Sequence, residues 1–367
     1  VNNTDGTCTA NITNNLSNRN LIINGAMQVA QRGTSSTVSD YGTVDRFQVN
    51  YSGTDEAPTQ AQADVASGTT PYTLGFRKTL KITNGNQTSG AGSSDYIYIR
   101  TKLEAQDIAQ SGWNYTSTSS YITLSFWVKS SVAQNFYGRI QTSDGTAYNY
   151  PFETGSLSAD TWTKITKTIS GNSNLQFDTD NNTGLTLFLH PFRGTDNTSS
   201  GVALNTWAAY ASGTRTPDQT STWYTTNDAT FEITGVQLEV GSVATDFEFR
   251  SYGQELDLCL RYFQRWVSGD NYQIGMGAMY TSTQLKCIFS FIKEMRAAPS
   301  VIQVTGTNNF VFYRDGAADY FDSFGVEFTD ERKTCLNNSS QVSDSAGRSG
   351  IIRTYGTSAR LDLNAEI

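Results

Sequence analysis

Residues 121–129 read YITLSFWVK, and the alternation of apolar with other side chains in this stretch decides the fold class. Side chains point to opposite faces of a strand with a period of two, so residues of one parity share one face. One parity is entirely apolar and comprises Ile122, Leu124, Phe126 and Val128. The other parity includes Trp127, so both faces are partly apolar. The pattern predicts a strand in the interior of a sheet.

Short runs of the same kind extend on both sides of this strand, and clusters of Gly, Asn, Asp and Ser separate them. Such spacing is typical of a β-sandwich. The predicted strands cover residues 79–82, 96–101, 136–142, 162–169, 185–190 and 231–240. In the last of these the apolar parity switches at Gly235, which predicts a β-bulge there.

The apolar period changes from two to 3.6 after residue 250, at Tyr252, Leu256, Cys259, Leu260 and Phe263. This spacing predicts one amphipathic connecting helix over residues 251–267. Strands are expected again at residues 272–280, 285–292, 300–306, 309–314, 324–328 and 350–355. The chain is therefore expected to be all-β, and its 367 residues are enough for two hydrophobic cores.

Composition disfavours two classes of partner. Lys and Arg total 26 against 34 Asp and Glu, for a formal net charge of −8 and no basic cluster. Nucleic-acid binding needs clustered cations to neutralise phosphates, so we expect no nucleic-acid partner. No run of eighteen apolar residues occurs, and residues 1–20 show no charged and apolar segments of a secretory signal. We expect no membrane insertion.

The cysteines Cys8, Cys259, Cys287 and Cys335 lie far apart and lack the short paired spacings of metal sites. Free thiols from a reducing cytoplasm are therefore expected rather than a disulfide framework.

Three passages of the sequence resemble a known family. They are the NLIING of residues 20–25 with the QRG of 31–33 and the DRF of 45–47, the TGVQLEVG of 234–241, and the RSYGQEL of 250–256. Together they resemble distal tail-fibre and related appendage proteins of tailed bacteriophages, including marine ones. The resemblance implies a jelly-roll sandwich similar to carbohydrate-binding modules at residues 21–250. A small C-terminal β domain at 268–367 would follow the helix, usually in a homotrimer.

The resemblance implies a virion structural protein, assembled in the host cytoplasm, whose fibre or appendage contacts a host-surface glycan or another outer-membrane receptor. The Asn- and Thr-rich residues 1–20 are expected to form an attachment arm that binds other tail or capsid proteins. A purely architectural head or tail decoration subunit, without its own ligand, is the alternative. A glycan hydrolase is a third reading.

Enzymatic activity is disfavoured by the residues themselves. The sole histidine, His190, lies at the end of a predicted strand before Pro191, where capping or an interface role is expected rather than general-base chemistry. Paired carboxylates could hydrolyse a glycan, but a sequence does not fix the separation of roughly 5 to 9 Å that they need. No repeating β-helix pattern supports a depolymerase. We expect a protein that is not an enzyme.

Aromatic residues in loop-like stretches are the candidate ligand contacts, because aromatic faces stack on the apolar faces of pyranoses. Three clusters qualify, each with half-buried packing as its alternative role: Trp223 with Tyr224, Trp207 with Tyr210, and Trp113 with Tyr115. We rank Trp223 and Tyr224 first. Trp127 and Trp162 lie in predicted strands and are expected in the core.

A structural calcium site is the one cofactor that the sequence raises. Asp178, Asp180 and Asn182 alternate on a turn and could offer oxygen ligands, but their spacing departs from an EF-hand loop. An Asn/Asp turn between strands is the favoured reading. Glu239 or backbone carbonyls could serve a calcium ion equally well.

Overall fold

The computed structural model describes residues 18–367, and the strands between residues 35 and 240 form a sandwich of antiparallel sheets. Its strands are β1 Ser35–Ser36, β2 Gln48–Ser52, β3 Thr59–Asp64, β4 Lys78–Thr83, β5 Tyr96–Glu104, β6 Tyr121–Ser130, β7 Asn135–Thr142, β8 Tyr148–Ser156, β9 Thr163–Ser170, β10 Thr183–Arg193, β11 Ala208–Ala209 and β12 Thr230–Val240. One sheet has the order β1-β3-β4-β12-β6-β9 and the other β11-β8-β7-β10-β5-β2. This is the predicted jelly-roll sandwich.

The sandwich core lies between the two sheets. The apolar parity of β6 points into it, and Phe126 is fully buried. From the opposite sheet, Ile97 and Ile99 of β5 and Leu187 of β10 meet that face. The alternation of residues 121–129 therefore predicts both the strand and the side of the strand that is buried.

The parity switch in β12 is a β-bulge, as predicted. The register of β12 against β6 shifts between Thr234 and Gln237, and Gly235 has φ +63°. A Cβ at residue 235 would lie 2.6 Å from the ring of Phe76. Only glycine allows both this backbone conformation and this close approach.

Short helices interrupt the strands: α1 Thr70–Thr73, α2 Ala105–Ala109, a 3₁₀ turn at Thr195–Asn197, and α3 Tyr252–Leu260. The side chain of Ser251 accepts a hydrogen bond from the backbone of Gln254 and forms a capping box with it, which fixes the start of α3. The predicted helical end at residue 267 is wrong, since α3 ends at Leu260. From Phe263 the chain forms a strand, because pairing with a distant strand replaces the local helical periodicity.

The strands after α3 form two further antiparallel sheets. They are β13 Phe263–Ser268, β14 Gln273–Thr281, β15 Gln284–Ser290, β16 Ser300–Gln303, β17 Phe310–Arg314, β18 Ala317–Phe321, β19 Gly325–Thr329, β20 Lys333–Asn338, β21 Ser349–Thr354 and β22 Arg360–Asn364. The sheet orders are β13-β22-β16 and β18-β17-β21-β14-β15-β20-β19. Phe310, Phe312 and Leu336 are buried in a second core between them. The protein is all-β with a short connecting helix.

Buried polar contacts join the sandwich to the chain beyond α3. Glu104, at the end of β5, accepts hydrogen bonds from Nε and Nη2 of Arg261, both at 2.8 Å, and from the hydroxyl of Tyr262 at 2.6 Å. Arg46 forms an ion pair with Glu366, near the end of the chain. The domain boundaries stay a prediction, and these contacts link the residues of the sandwich to residues that follow α3.

The passages that resemble phage appendage proteins meet in one buried polar network. The backbone N–H of Asn24 donates to Oε2 of Glu255 at 2.7 Å, and the Asn24 side chain donates to the carbonyl of Asp45 at 2.9 Å. Asp45 accepts from the backbone and the side chain of Gln31, and Arg250 pairs with Glu255. These motif residues therefore hold the fold together.

The predicted attachment arm, residues 1–20, falls mostly on residues 1–17, which lie outside the described part. Asn20 belongs to the sandwich, because its side chain accepts from the backbone of Leu238 and donates to the carbonyl of Val236.

Cys259, Cys287 and Cys335 are unpaired thiols. Among residues 18–367, no helix has the length and apolar character needed to cross a bilayer.

Candidate ligand-binding groove

The aromatic pair ranked first for ligand contact is buried. Trp223 and Tyr224 are both 0% exposed. The indole of Trp223 donates to the carbonyl of Thr230 at 3.0 Å, and the Tyr224 ring stacks on Phe192 with centroids 4.3 Å apart. Because neither ring offers a free face, the prediction that they stack on a ligand is wrong. The loop folds back on the sandwich and satisfies both polar tips inside it.

The second pair separates. Trp207 is half-buried, donates from its indole to the carbonyl of Ser170 at 2.8 Å, and packs with its centroid 5.2 Å from that of Tyr150. Tyr210 lies apart from it, in a groove on the outer face of a sheet. Trp207 is thus held as packing, and Tyr210 remains a candidate contact.

The third pair also packs inward. Trp113 is 3% exposed and, with half-buried Tyr115, surrounds the ring of Phe177 at centroid distances of 6.2 and 5.0 Å. Trp113 is therefore ruled out as a stacking platform by its burial. Trp127 and Trp162 are predicted to lie in the core, and this prediction is wrong because both side chains are only half-buried.

A groove of about 460 Å³ lies on the outer face of the sheet β11-β8-β7-β10-β5-β2, and Tyr210 is the one predicted ligand contact among the described residues that line it. It is lined by Tyr96, Tyr98, Arg100, Arg139, Gln141, Phe188, Arg193, Asn197, Tyr210 and Arg215. Four of these residues are arginines and three are tyrosines, and no Asp or Glu is among the described residues that line it.

Strand register brings the groove residues together. Phe188 of β10 pairs with Arg100 of β5 on one side and with Arg139 of β7 on the other. Along β5, Ile97 and Ile99 face the core, so the alternate residues Tyr98 and Arg100 face outward. The alternation in residues 96–101 therefore indicates which side chains face outward. The register of three neighbouring strands, which brings these side chains together, cannot be derived from one sequence.

Arg139 is the most deeply placed cation of the groove. It is 3% exposed, and its guanidinium carbon lies 3.6 Å from the centroid of the Phe188 ring. Its Nη1 donates to the amide oxygen of Gln141 and, at 3.3 Å, to that of Asn149, while its Nε has no partner among residues 18–367. All of its acceptors are neutral.

The other groove arginines also have neutral partners. Nε of Arg193 donates to Nδ1 of His190 at 3.4 Å, and Nε of Arg215 donates to the hydroxyl of Tyr210 at 2.9 Å. Nε of Arg100 donates to the amide oxygen of Gln48. Within the described residues, no carboxylate forms an ion pair with any of the four groove arginines, so the groove keeps an uncompensated positive charge.

Burial and the repulsion between neighbouring arginines lower the pKa values of two groove arginines. Burial, together with the neighbouring Arg193 and Arg215, lowers the pKa of Arg139 well below its usual range. Burial and Arg215 lower the pKa of Arg193 to about 10. A guanidinium that loses solvent and gains like-charged neighbours is destabilised in its charged form, and an anion in the groove would relieve that cost.

His190 lies under the groove rather than at a strand end. β10 continues through Pro191 to Arg193, with a register shift against β5 between Leu189 and Phe192 that accommodates the proline. The imidazole is fully buried and lies parallel to the Phe188 ring, with centroids 6.0 Å apart. Burial and the surrounding arginines lower its pKa well below the ordinary value, so this histidine is neutral and takes no capping role.

The possible calcium ligands lie in an exposed turn. The carboxylate of Asp180 accepts from both the backbone and the side-chain amide of Asn182, and Asp144 accepts from the backbone of Asp178. These contacts form the Asn/Asp turn that was favoured. Glu239 accepts from Thr245 and Gln237. No cluster of three His, Cys, Asp or Glu side chains suited to a metal occurs within residues 18–367.

No protein-family model and no curated protein matches this chain. Among solved structures, the enzymatically active domain of tailspike protein 4 from bacteriophage CBA120 aligns over 61% of this chain and 22% of its own, with 10% identity and a TM-score of 0.33. A family 4 carbohydrate-binding module aligns over 59% and 98%, with 13% identity and a TM-score of 0.29. The N-terminal cellulose-binding domain of a Cellulomonas fimi β-1,4-glucanase aligns over 59% and 99%, with 10% identity and a TM-score of 0.28.

The chain thus spans about a fifth of the tailspike chain. At these identities and TM-scores the matches carry no assignment of function.

Proposed function

We propose that this protein is a non-catalytic binding subunit that holds a saccharide in the groove on the outer face of its β5-β10-β7 strands. The observation that carries the proposal is the groove itself, in which tyrosine rings, amides and guanidinium groups converge on one open face.

The lining suits a sugar chemically. Tyr96, Tyr98 and Tyr210 are each half-buried, so part of every ring remains accessible to a pyranose face. Gln141 and Asn197 offer amide donors and acceptors for hydroxyl groups. A wide, polar and partly aromatic groove of this kind favours recognition over catalysis, because no paired carboxylates line it in the described part of the chain.

The biological setting that we propose is a fibre or appendage subunit of a tailed bacteriophage that contacts a host-surface glycan. The motifs that resemble such proteins support it, and their convergence in the network around Asn24, Asp45 and Glu255 gives them a structural role. A decoration subunit with no ligand of its own remains the alternative. It would leave the groove without binding activity.

Self-association into a homotrimer is part of the same proposal. The outer face of the seven-stranded sheet exposes Met276 by 67%, Ile288 by 68% and Phe328 by 52%. Register places Met276 opposite Ile351, and places Cys335 beside both Ile288 and Phe328, so apolar side chains lie next to each other on neighbouring strands of this sheet. Large exposed apolar surfaces mark interaction sites, and a second copy is the partner that we propose.

Phe263 does not take part in that surface. It is only 2% exposed and packs beneath the guanidinium of Arg32, whose carbon lies 3.6 Å from the ring centroid. A charge at residue 263 would therefore disrupt the fold of the single chain rather than an interface between copies.

A glycan array combined with a reducing-sugar assay on the purified protein tests the proposed function. We expect binding without product release. Tyr98→Ala should weaken the best array ligand about tenfold, since a stacked aromatic contributes on the order of 1 kcal/mol or more. Tyr252→Ala, at a ring 56% exposed on α3, is the matched control and should leave binding unchanged. Absence of any glycan binding would favour the architectural alternative, and release of reducing ends would favour a hydrolase.

A further inference from the structure

We propose that the saccharide is acidic, and that Arg139, Arg193 and Arg215 hold a carboxylate or sulfate group of it in the groove. This inference rests on the proposed saccharide-binding function and adds the chemical class of its ligand. It follows from the charges that the groove leaves uncompensated.

Buried arginines elsewhere in this protein are paired with carboxylates. Arg46, 1% exposed, pairs with Glu366, and Arg314, 7% exposed, pairs with Asp319 and Asp344. Arg139 is buried to the same degree but has only amide acceptors, and its Nε has no partner among residues 18–367. Because burial of an unpaired charge is costly, its retention at a concave surface points to a partner that arrives from outside.

The groove is also positive as a unit. Burial, followed by the charges of Arg193 and Arg215, lowers the pKa of Arg139, and no Asp or Glu of the described chain lines the groove. The whole chain has a formal charge of −8. A local cluster of cations in an acidic protein attracts anions to that point, and a concave wall strengthens the local field.

The geometry favours an acidic sugar over a nucleic acid. A nucleic acid needs cations that follow its backbone over many phosphates, whereas the cations here are confined to one groove of about 460 Å³. Guanidinium groups bind carboxylate and sulfate oxygens through paired N–H donors, which suits one or two fixed anionic groups. The adjoining rings of Tyr98 and Tyr210 offer the apolar surface that a pyranose would cover.

The test compares matched acidic and neutral glycans on the full chain. An array first ranks uronate, sialylated and sulfated glycans against the same backbones without the charged group. Calorimetry then measures the best pair, such as an oligogalacturonate and its methyl ester, or a sulfated oligosaccharide and its desulfated form. We expect the acidic member to bind at least tenfold more tightly, and its affinity to fall severalfold between 50 and 500 mM salt. The two pairs distinguish carboxylate from sulfate as the recognised anion.

Substitutions of single arginines test which side chains produce the preference for an acidic glycan. Arg215→Gln and Arg193→Gln should each lower the ratio of acidic-glycan affinity to neutral-glycan affinity about tenfold or more. Arg332→Gln makes the same charge change at an exposed ion pair with Glu294 on the C-terminal region, and should leave both affinities unchanged. Far-ultraviolet circular dichroism and thermal unfolding confirm that each variant is folded.

The outcomes separate this inference from the function on which it rests. Equal or tighter binding of neutral glycans, or binding of acidic glycans that survives both groove substitutions, would overturn the acidic-ligand inference and leave the saccharide-binding function standing. Preference for a thymidine oligonucleotide over every acidic glycan would overturn it in favour of a general polyanion site. No binding to any glycan would overturn both.

Discussion

Arg139 and Phe188 face each other across two neighbouring strands, and the guanidinium carbon lies 3.6 Å from the ring centroid. The aromatic ring partly replaces water on one side of a cation that has no carboxylate partner in the described chain. A cation–π contact of this kind is worth about 1 to 2 kcal/mol, which offsets only part of the cost of burying the charge.

The first prediction is that Arg139→Met stabilises the free protein. Removal of a buried, unpaired and mutually repelled charge should raise the free energy of unfolding by about 1 kcal/mol, as measured by denaturant titration. Arg46→Met is the matched control, because that arginine is equally buried but has Glu366 as a partner. It should lower the free energy of unfolding by about 3 to 5 kcal/mol. A loss of stability in both variants would mean that the charge of Arg139 is compensated.

The second prediction concerns acid. The pKa of His190 is depressed in the folded state, so below about 6.5 the unfolded chain binds a proton that the folded chain refuses. Stability from this group is therefore complete above that pH and is lost as the pH falls. Asp45, whose burial raises its pKa to about 6, acts in the opposite sense between its unfolded value of 3.8 and 6.

Comparison with the His190→Gln variant separates the contribution of His190 to the pH dependence of stability from that of Asp45. Between pH 6.5 and 5.5 the free energy of unfolding of the wild-type protein should fall by about 1 kcal/mol more than that of the variant. Denaturant titrations of both proteins at each pH measure this difference. Parallel pH curves for the two proteins would contradict a neutral His190 in the fold.

The third prediction is that Glu104 stabilises the junction between the sandwich and α3. Glu104→Ala leaves Arg261 and the hydroxyl of Tyr262 without their acceptor, and should lower the free energy of unfolding by about 3 kcal/mol. Tyr262→Phe removes a single hydrogen bond to the same carboxylate and should cost about 1 to 2 kcal/mol. If the two substitutions cost the same, the Arg261 contact contributes nothing.

The sequence predicts a strand correctly where the pattern of apolar residues within that strand is enough. The prediction fails where pairing with a distant segment determines the structure. The alternation in β6 and the parity switch at Gly235 are local, and both were predicted correctly. The helical pattern that includes Phe263 is also local, but pairing of β13 with β22 overrides it. Trp223 was predicted to contact a ligand from a loop-like stretch, with half-buried packing as the alternative, because the sequence does not indicate that its indole reaches the carbonyl of Thr230.

The groove illustrates the same limit at the functional site. The outward positions of β5, β7 and β10 are recognisable one strand at a time, but the placement of Arg139, Phe188 and Arg100 side by side depends on a register across three strands. Of the predicted contacts, only Tyr210 lies in the groove. Its loop position is evident from the sequence, whereas the hydrogen bond that its hydroxyl accepts from Arg215 is not.

The fourth prediction concerns assembly. Light scattering at micromolar concentration should give the mass of a trimer, and the double substitution Ile288→Lys with Phe328→Lys should give a folded monomer, because two charges would enter the apolar interface. Val38→Lys, at a side chain 56% exposed on the sandwich, introduces a charge elsewhere and should leave the trimer intact. A monomeric wild-type protein would eliminate the proposed interface.

The place of β12 in its sheet has a consequence for the order of folding. This strand lies between β4 and β6, and the hydroxyl of Thr79 in β4 reaches the carbonyl of Ile233 across 154 residues of chain. During synthesis, β4 and β6 would leave the ribosome long before the strand that separates them. Their open edges would then be available to neighbouring nascent chains, and contacts so distant in sequence form slowly. We therefore expect the sandwich to fold late, and its yield in a cell to depend on chaperones that shield these edges.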